Sequence, residues 1–272
     1  PINSFSPTPK LFDDKQIDGF KKLSDSIHKY GAKVGVQIFH PEYDCDAINK
    51  MFATGDFDGV RKKLHHDMQH FVNEISEEGL KEIINKMCNC AIRAEKAGVD
   101  IIQIHGDRLV GSLCSTILNK RTDKYGGTLE NRTRFALEFV RALKKAVPNM
   151  TIDYKFSVVT PERGKGGVNL DEAPIFAKWL EEAGVDMLHV AQANHTGNMA
   201  DTIPPMGVQP YGFFVDIAAQ IKKSVNIPVS TVGRIFNPKM AESILESDKA
   251  DIIGIGRILL ADADWVNKII EN

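Results

Sequence analysis

Six short runs of β-branched and apolar residues recur along the chain, and a segment with helical periodicity follows each of them. The runs cover residues 33–39, 99–105, 151–157, 186–191, 227–232 and 251–256. Strands that alternate with helices indicate parallel βαβ units and therefore an α/β fold. Six units leave two architectures open, an open doubly wound sheet and a (β/α)8 barrel that lacks two units.

Glycines and loop lengths refine this pattern. Gly98 and Gly184 each close a predicted helix immediately before a strand. The stretch 41–76 is too long for an ordinary connection, and we predict a short helix within it at 56–71. This segment should form an excursion over one face of the fold.

Composition restricts the class of protein. The chain has 272 residues and a formal net charge of -2, which provides no broad attraction to nucleic acid or to an anionic membrane. No apolar run approaches the roughly 18 residues of a membrane span. The four cysteines lack the paired spacing of zinc or redox sites, so a reducing cytoplasmic setting is expected. We expect a small-molecule partner and predict no metal site.

Two glycine-arginine pairs follow the last two predicted strands, Gly233 with Arg234 and Gly256 with Arg257. In barrels the loops after the last strands often bind phosphate, because glycine lets backbone N–H groups approach the anion. Arginine adds a bidentate cation. A single pair is more often a turn beside a solvated charge, whereas two successive pairs favour an anion site.

Polar residues inside two strand-like runs are candidates for ligand contact. Gln37 is an amide among apolar neighbours, which predicts either a satisfied structural glutamine or contact with a heteroaromatic ring edge. Lys155 lies within a strand, where a cation is costly unless it faces an anion or a polarised atom. It could equally face outward at the strand end.

Histidine at the end of the second run is the main catalytic candidate. His105 could donate a hydrogen bond to a substrate carbonyl, and Arg108 nearby could bind a carboxylate or stabilise developing negative charge. A structural role is the alternative for a lone histidine at a strand end.

The remaining histidines carry weaker signals. His40 and His195 follow the first and fourth runs and are minor candidates for the same barrel end. His66 and His70 are four residues apart on a predicted helix, but a third ligand with suitable spacing is not evident. We predict that this pair lies on a solvated helix face.

Three motifs carry a resemblance to a known family. They are GVQIFH (35–40), NKRTDKYGGTLENRTRF (119–135) and VGRIFNPKMAESILESDKADIIGIGRILLADADW (232–265). On these residues the chain resembles the old yellow enzyme family, most closely its bacterial branch of 2,4-dienoyl-CoA reductase and 2-enoate reductase-like proteins. The resemblance implies a (β/α)8 TIM barrel whose third to eighth strands are visible here.

The resemblance also implies a cofactor and a domain organisation. Residues 1–272 would form one FMN-binding barrel domain, incomplete at both ends, with NADH or NADPH as the hydride donor. An iron-sulfur cluster and additional domains would belong only to a longer parent chain. Homo-oligomer formation is possible in such a family, and no nucleic-acid or membrane partner is expected.

The family resemblance also implies a role for each candidate residue named above. The resemblance implies that Gln37 contacts the flavin pyrimidine and that Lys155 replaces an arginine near flavin N1 and O2. The two glycine-arginine pairs would bind the phosphate. His105 would hydrogen-bond the activating carbonyl, Arg108 replaces the second member of that donor pair, and Val110 replaces the usual proton-donating tyrosine.

These roles predict an NAD(P)H:flavin oxidoreductase of ene-reductase type. It would reduce the electron-poor C=C bond of an enone or an enoate. Two alternatives stay open, a flavin-dependent amine dehydrogenase of the same fold and a non-catalytic incomplete barrel. For the amine reading, the aromatic residues near the strand ends are Phe39, Tyr43 and Phe156.

Overall fold

One parallel sheet organises the molecule. The computed structural model describes residues 9–159, 167–192, 211–212 and 214–271. All six predicted strands are present in these ranges, and a short additional strand, β4, pairs with the end of β3. The strands are β1 (Gly35–Ile38), β2 (Ile101–His105), β3 (Thr151–Val159), β4 (Val168–Asn169), β5 (Met187–Gln192), β6 (Val229–Thr231) and β7 (Ile252–Ile253).

Helices follow the strands as the sequence pattern indicates. They are α1 (Ile17–His28), α2 (Cys45–Ala53), α3 (Phe57–Glu74), α4 (Glu77–Lys96), α5 (Leu109–Cys114), α6 (Leu129–Ala146), α7 (Ala173–Ala183), α8 (Val215–Lys222), α9 (Pro238–Glu246), α10 (Arg257–Ala261) and α11 (Trp265–Ile270). The predicted helix in the excursion corresponds to α3, and α2 precedes it. Gly98 and Gly184 have φ angles of 76° and 111°, as their predicted places after helices require.

Strand order resolves the choice between the two architectures. The sheet runs β1-β2-β3-β5-β6-β7, so each main strand pairs with the next main strand along the chain. A doubly wound sheet reverses its strand order at a switch point, and this sheet has no reversal in the described residues. The fold is therefore a (β/α) barrel with six main strands along its path, as the resemblance implied.

Alternation along the strands separates an apolar outer face from a polar inner face. Ile102 and Ile104 are fully buried in the main hydrophobic core, which also contains residues of α4, α6 and α7. Gln103 and His105 point to the opposite face, because successive strand residues alternate sides. β3 and β5 repeat this pattern. The helices thus cover one face, and the candidate site residues line the other.

Loops at the carboxyl ends of the strands share one rim of the barrel, because the strands are parallel. The excursion after β1, the start of α5 after β2 and the glycine-arginine pairs after β6 and β7 all lie at this rim. No helix in the described ranges combines the length and apolar character needed to cross a membrane.

Candidate active site

A first row of polar side chains crosses the inner face of β1, β2 and β3. Gln37, Gln103 and Asp153 lie opposite one another in the strand register. Gln37 Nε2 donates to Gln103 Oε1, and Gln103 Nε2 donates to Asp153 Oδ2, each at 2.5 Å. Burial raises the pKa of Asp153 to about 6, and the hydrogen bond from Gln103 opposes that rise. These two hydrogen bonds fix the orientation of both amides, so that the Nε2 atoms of Gln37 and Gln103 each point toward the next side chain along the row.

The position of Gln37 corrects part of the sequence interpretation. Its apolar neighbours in the sequence predict a buried amide, but the side chain is exposed. The reason is that β1 is the first strand of the described sheet path, so only one neighbouring strand covers it. The expected need for a partner is met by Gln103.

A second row lies one residue pair closer to the rim. It contains His105, Lys155, His189 and Ser230, which are opposite one another on β2, β3, β5 and β6. Lys155 Nζ lies 3.4 Å from His105 Nε2, and Ser230 Oγ lies 3.2 Å from His189 Nδ1. The structure therefore brings two predicted residues together and adds His189, which the sequence analysis missed. Its place in the middle of an apolar run was the available signal.

The hydrogen bonds of His105 define its tautomer. Its Nδ1 accepts from the backbone N–H groups of Asp107 and Arg108, both at 3.3 Å. An imidazole nitrogen that accepts carries no hydrogen, so these two bonds place the hydrogen of the neutral ring on Nε2. The Lys155 ammonium, which can only donate, lies 3.4 Å from Nε2 and makes no hydrogen bond to it in this tautomer. His105 therefore presents an N–H donor on the inner face.

Electrostatics keep both imidazoles of the second row neutral. Burial lowers the pKa of His105 to about 3, and the charge of Lys155 adds to this effect. Burial and the same lysine lower the pKa of His189 to about 4. Burial also lowers the pKa of Lys155. The row thus contains a lysine between two uncharged rings.

A buried acidic group that the sequence analysis missed lies behind Arg108. Glu42, in the loop after β1, is fully buried, and its Oε1 accepts from Ser112 Oγ on α5 at 3.1 Å. Burial raises the pKa of Glu42 to about 7, while the charge of Arg108 lowers it. The Arg108 Cζ lies 6.0 Å from the ring centroid of Tyr43. The available signal in the sequence was an acidic residue in the loop after the first strand.

Glu42 makes the stability of the fold depend on pH. The folded protein binds one proton more than the unfolded chain between the unfolded glutamate pKa and about 7, so its stability falls as the pH rises through that window. The loss reaches about 3 kcal/mol above the folded pKa. We expect Glu42→Gln, which cannot ionise, to gain about 2 to 3 kcal/mol relative to the wild type between about pH 5 and about pH 8. Urea unfolding at both pH values measures this gain.

The control for this experiment is Glu95→Gln, which removes an exposed carboxylate from α4. A constant difference between the Glu42→Gln variant and the wild type at both pH values would contradict the assigned ionisation of Glu42.

The glycine-arginine pairs occupy the predicted end of the barrel. Gly233 has a φ of 115°, which favours glycine, and Arg234 follows with a φ of 61°, which is uncommon for other residues. Arg234 is buried at 9% exposure. Arg257 begins α10 and is exposed, with Gly256 as the N-cap. Because β6 and β7 are adjacent, both pairs lie at one part of the rim, and their phosphate role stays a prediction.

The other histidines lie apart from this site or outside the described residues. His40 Nδ1 lies 2.7 Å from the Pro41 carbonyl oxygen, and burial lowers the pKa of His40. His66 and His70 stack on each other and are exposed on α3, as predicted. His195 lies outside the described residues. Within the part of the chain that the structure describes, no group of three His, Cys, Asp or Glu side chains could hold a metal ion.

Comparisons with known proteins test the resemblance. The model of the NADH:flavin oxidoreductase / NADH oxidase family matches residues 3–272. A bilirubin reductase of Mediterraneibacter gnavus is 56% identical over 271 residues, covering 99% of this chain and 42% of that protein. A bilirubin reductase of Clostridium symbiosum is 35% identical over 270 residues, covering 95% of this chain and 72% of that protein.

A solved structure supports the architecture. The 6-hydroxypseudooxynicotine amine oxidase of Pseudomonas geniculata superposes with a TM-score of 0.79 at 23% identity, covering 97% of this chain and 39% of that one. At this identity the likeness concerns the fold alone. Together with the family match, the chain therefore belongs to the old yellow enzyme family of NADH:flavin oxidoreductases, which use FMN with NADH or NADPH as electron donor.

Proposed function

We propose that this chain is the FMN-dependent, NAD(P)H-oxidising part of a reductase that acts on the electron-poor C=C bond of an acidic acceptor. The observation that carries the proposal is the neutral His105 with an Nε2–H donor, flanked by the cations Lys155 and Arg108. Such a donor polarises an acceptor carbonyl, and the cations suit an acceptor with a carboxylate.

The inner face fits FMN in its charges and hydrogen-bonding groups. Burial lowers the pKa of Lys155 and the charge of Asp107 opposes this effect, so Lys155 can supply a positive charge that suits the negative charge that a flavin gains on reduction. When bound, FMN supplies the carrier of the hydride between donor and acceptor. The residues that we propose to hold it are Gln37 and Lys155 at the ring and Gly233, Arg234, Gly256 and Arg257 at the phosphate.

His105 would act on the acceptor by hydrogen bonding. Its Nε2–H would donate to the carbonyl oxygen of the acceptor, which draws electron density from the conjugated C=C bond. The low pKa of His105 keeps this ring neutral, so the same tautomer persists across the physiological range. Val110 is buried on α5 and has no proton to donate, so protonation of the product needs another source.

Similarity to bilirubin reductases supports an acidic, conjugated acceptor. Two such relatives are 56% and 35% identical to this chain. Bilirubin carries carboxylates and conjugated C=C bonds, the two features that Arg108 and His105 suit. We therefore propose bilirubin as a candidate acceptor, with simpler enoates as its chemical analogues.

Arg108→Ala is expected to raise the KM for carboxylate acceptors by about 10- to 100-fold, because a charge-assisted hydrogen bond contributes about 1.5 to 3 kcal/mol. The KM for the amide of the same acceptor should change much less. Anaerobic steady-state kinetics with bilirubin, cinnamate and cinnamamide measure both effects. Arg108→Lys is the control, since it keeps the charge and loses the planar fork.

Three results would contradict the proposal, each at a different point. Unchanged KM values for carboxylates in the Arg108→Ala variant would contradict the proposal that the acceptor is acidic. Absence of C=C reduction by the FMN-loaded protein with every acceptor would contradict the proposed ene-reductase activity. Protein that cannot be reconstituted with FMN, as judged by its absorbance spectrum, would instead favour the non-catalytic barrel.

The amine dehydrogenase alternative has less support. A cationic substrate requires aromatic surroundings, but Phe156 lies in the outer core against Phe176, with ring centroids 5.5 Å apart. Lys155 and Arg108 would repel such a substrate.

We also propose a reducing cytoplasmic setting, because all four cysteines are free thiols.

A further inference from the structure

The carboxyl group of Glu42 is fully buried, and one of its oxygens has no hydrogen-bond partner among the described residues, which is rare for an acidic side chain. The residue has no exposed surface, and Oε1 accepts one hydrogen bond from Ser112 Oγ. Oε2 is also buried and has no hydrogen-bond partner among the described residues. An ionised carboxylate in this position is favoured by the hydrogen bonds from Ser112 and from the Glu42 backbone but has no donor at Oε2 among the described residues, so its charge also depends on nearby cations.

The charged and titratable groups around Glu42 come from two segments. Arg108, at the start of α5, is the cation that favours the carboxylate, and Asp107 beside it is the anion that opposes it. Tyr43 and Cys45 follow Glu42 on its own side of the site, where burial raises the pKa of each and the charge of Glu42 adds a smaller contribution. Arg108, whose Cζ lies 6.0 Å from the ring centroid of the neighbouring Tyr43, is therefore the cation that favours ionised Glu42, and it does so without a salt bridge between the two described side chains.

The same guanidinium also acts on the inner face of the barrel. Burial is the main cause that lowers the pKa of both His105 and Lys155; the charge of Arg108 adds to this effect, and the charge of Asp107 opposes it. Arg108 is half-buried, with its Cζ 6.0 Å from the centre of the Tyr43 ring. One cation thus lies within electrostatic reach of a buried carboxyl group and of the proposed substrate site.

We propose that Glu42 and the carboxylate of the acceptor compete for the charge of Arg108, so that Glu42 binds a proton from solvent when an acidic acceptor binds. The new O–H bond forms at a carboxylate oxygen of Glu42, and the proton comes from water or buffer. This inference rests on the proposed function in one respect, that Arg108 binds the carboxylate of the acceptor. Glu42 acts through Arg108 and is a positioning residue.

The competition makes the selection of acceptors depend on pH. Because a proton is taken up on binding, the affinity for an acidic acceptor falls as the pH rises above about 7, by at most about tenfold per pH unit. A neutral acceptor does not compete for Arg108 and takes up no proton at Glu42. The chain would therefore prefer acids most strongly below this pH.

Calorimetric titration of the FMN-loaded protein with cinnamate tests the inference. Titrations in two buffers of different ionisation enthalpy measure the number of protons taken up. We expect about half a proton near pH 7 and about one proton near pH 8, and none with cinnamamide. The Glu42→Gln variant should take up no proton and bind cinnamate about tenfold more tightly than the wild type near pH 8.

Ser112→Ala is a second variant with a directional outcome. The Ser112 hydroxyl favours the carboxylate of Glu42, so its loss should move the pH dependence of cinnamate binding to higher pH than in the wild type. An unchanged or lower midpoint would contradict the assignment. If Glu42→Gln does not fold, the wild-type titrations with cinnamate and cinnamamide decide the matter alone.

The outcomes separate this inference from the function on which it rests. If Arg108→Ala binds cinnamate as tightly as the wild type, the proposed role of Arg108 fails, and the competition fails with it. If Arg108 is required but the wild type takes up no proton, only the role of Glu42 is overturned. The same holds if Glu42→Gln keeps the full proton uptake, which would then arise elsewhere.

Discussion

Replacing His105 with alanine is expected to lower kcat/KM for an enone acceptor by about 100- to 1000-fold, the usual cost of removing a donor to a developing oxyanion. The physical reason is the fixed Nε2–H of the neutral ring, which two backbone N–H groups hold in one tautomer. Steady-state kinetics with saturating NADH or NADPH measure the change, and the visible flavin spectrum shows whether FMN is still bound.

His105→Gln is the matched variant, because a glutamine amide keeps an N–H donor. It should recover part of the loss, whereas a donor-independent role would make both variants equal. The low pKa values of His105 and His189 also predict that kcat/KM for a neutral enone shows no imidazole inflection between about pH 5 and about pH 8. A His105→Ala variant with nearly wild-type kcat/KM would refute the assigned role.

Periodicity along the chain was sufficient to predict the six strands and their parallel pairing. It also identified His105 and both glycine-arginine pairs at strand ends and Lys155 within a strand, and parallel strands bring their carboxyl ends to one rim. Strand order could not be read from periodicity, and the choice of a barrel needed either the family motifs or the observed pairing.

Contacts across the sheet were beyond the reach of sequence patterns. Gln103 and Asp153 are fifty positions apart and meet only through the register of β2 and β3. Glu42 reaches Ser112 because the loop after β1 packs on α5. Such pairs depend on three-dimensional register, which has no local signature. The exposure of Gln37 was also not predictable, because it follows from the position of β1 at the end of the described sheet path.

The most specific family motif, 119–135, has a structural role in this chain. Asn119 Nδ2 donates to the carbonyl oxygens of Leu113 and Tyr125, at 2.6 and 2.8 Å. Arg121 donates to two carbonyl oxygens near the end of α3. A Cβ on Gly126 would lie 2.0 Å from the Arg121 carbonyl oxygen, so this turn requires glycine. The motif therefore holds the segment after α5 in place and does not itself report on the acceptor.

Arg132, in the same motif, is expected to be the strongest single support of this region. It is 4% exposed and donates to the carbonyl oxygens of Gly127 and Cys114 and to Glu172 Oε1, at 3.1, 2.5 and 2.7 Å. Arg132→Met keeps the volume but leaves these acceptors without their donor, so we expect a loss of about 3 to 5 kcal/mol in the free energy of unfolding.

Thermal unfolding should show this loss as a fall in Tm on the order of 10 °C. Arg141→Met provides the control, because Arg141 is exposed on the same helix, α6, and such substitutions usually stay within about 0.5 kcal/mol. A ligand-binding role for the motif would lead to the opposite result, a normal Tm with impaired turnover. Equal Tm values for the two variants would show that the buried guanidinium contributes little, and the structural explanation of the motif would then have to rest on Asn119 and Arg121.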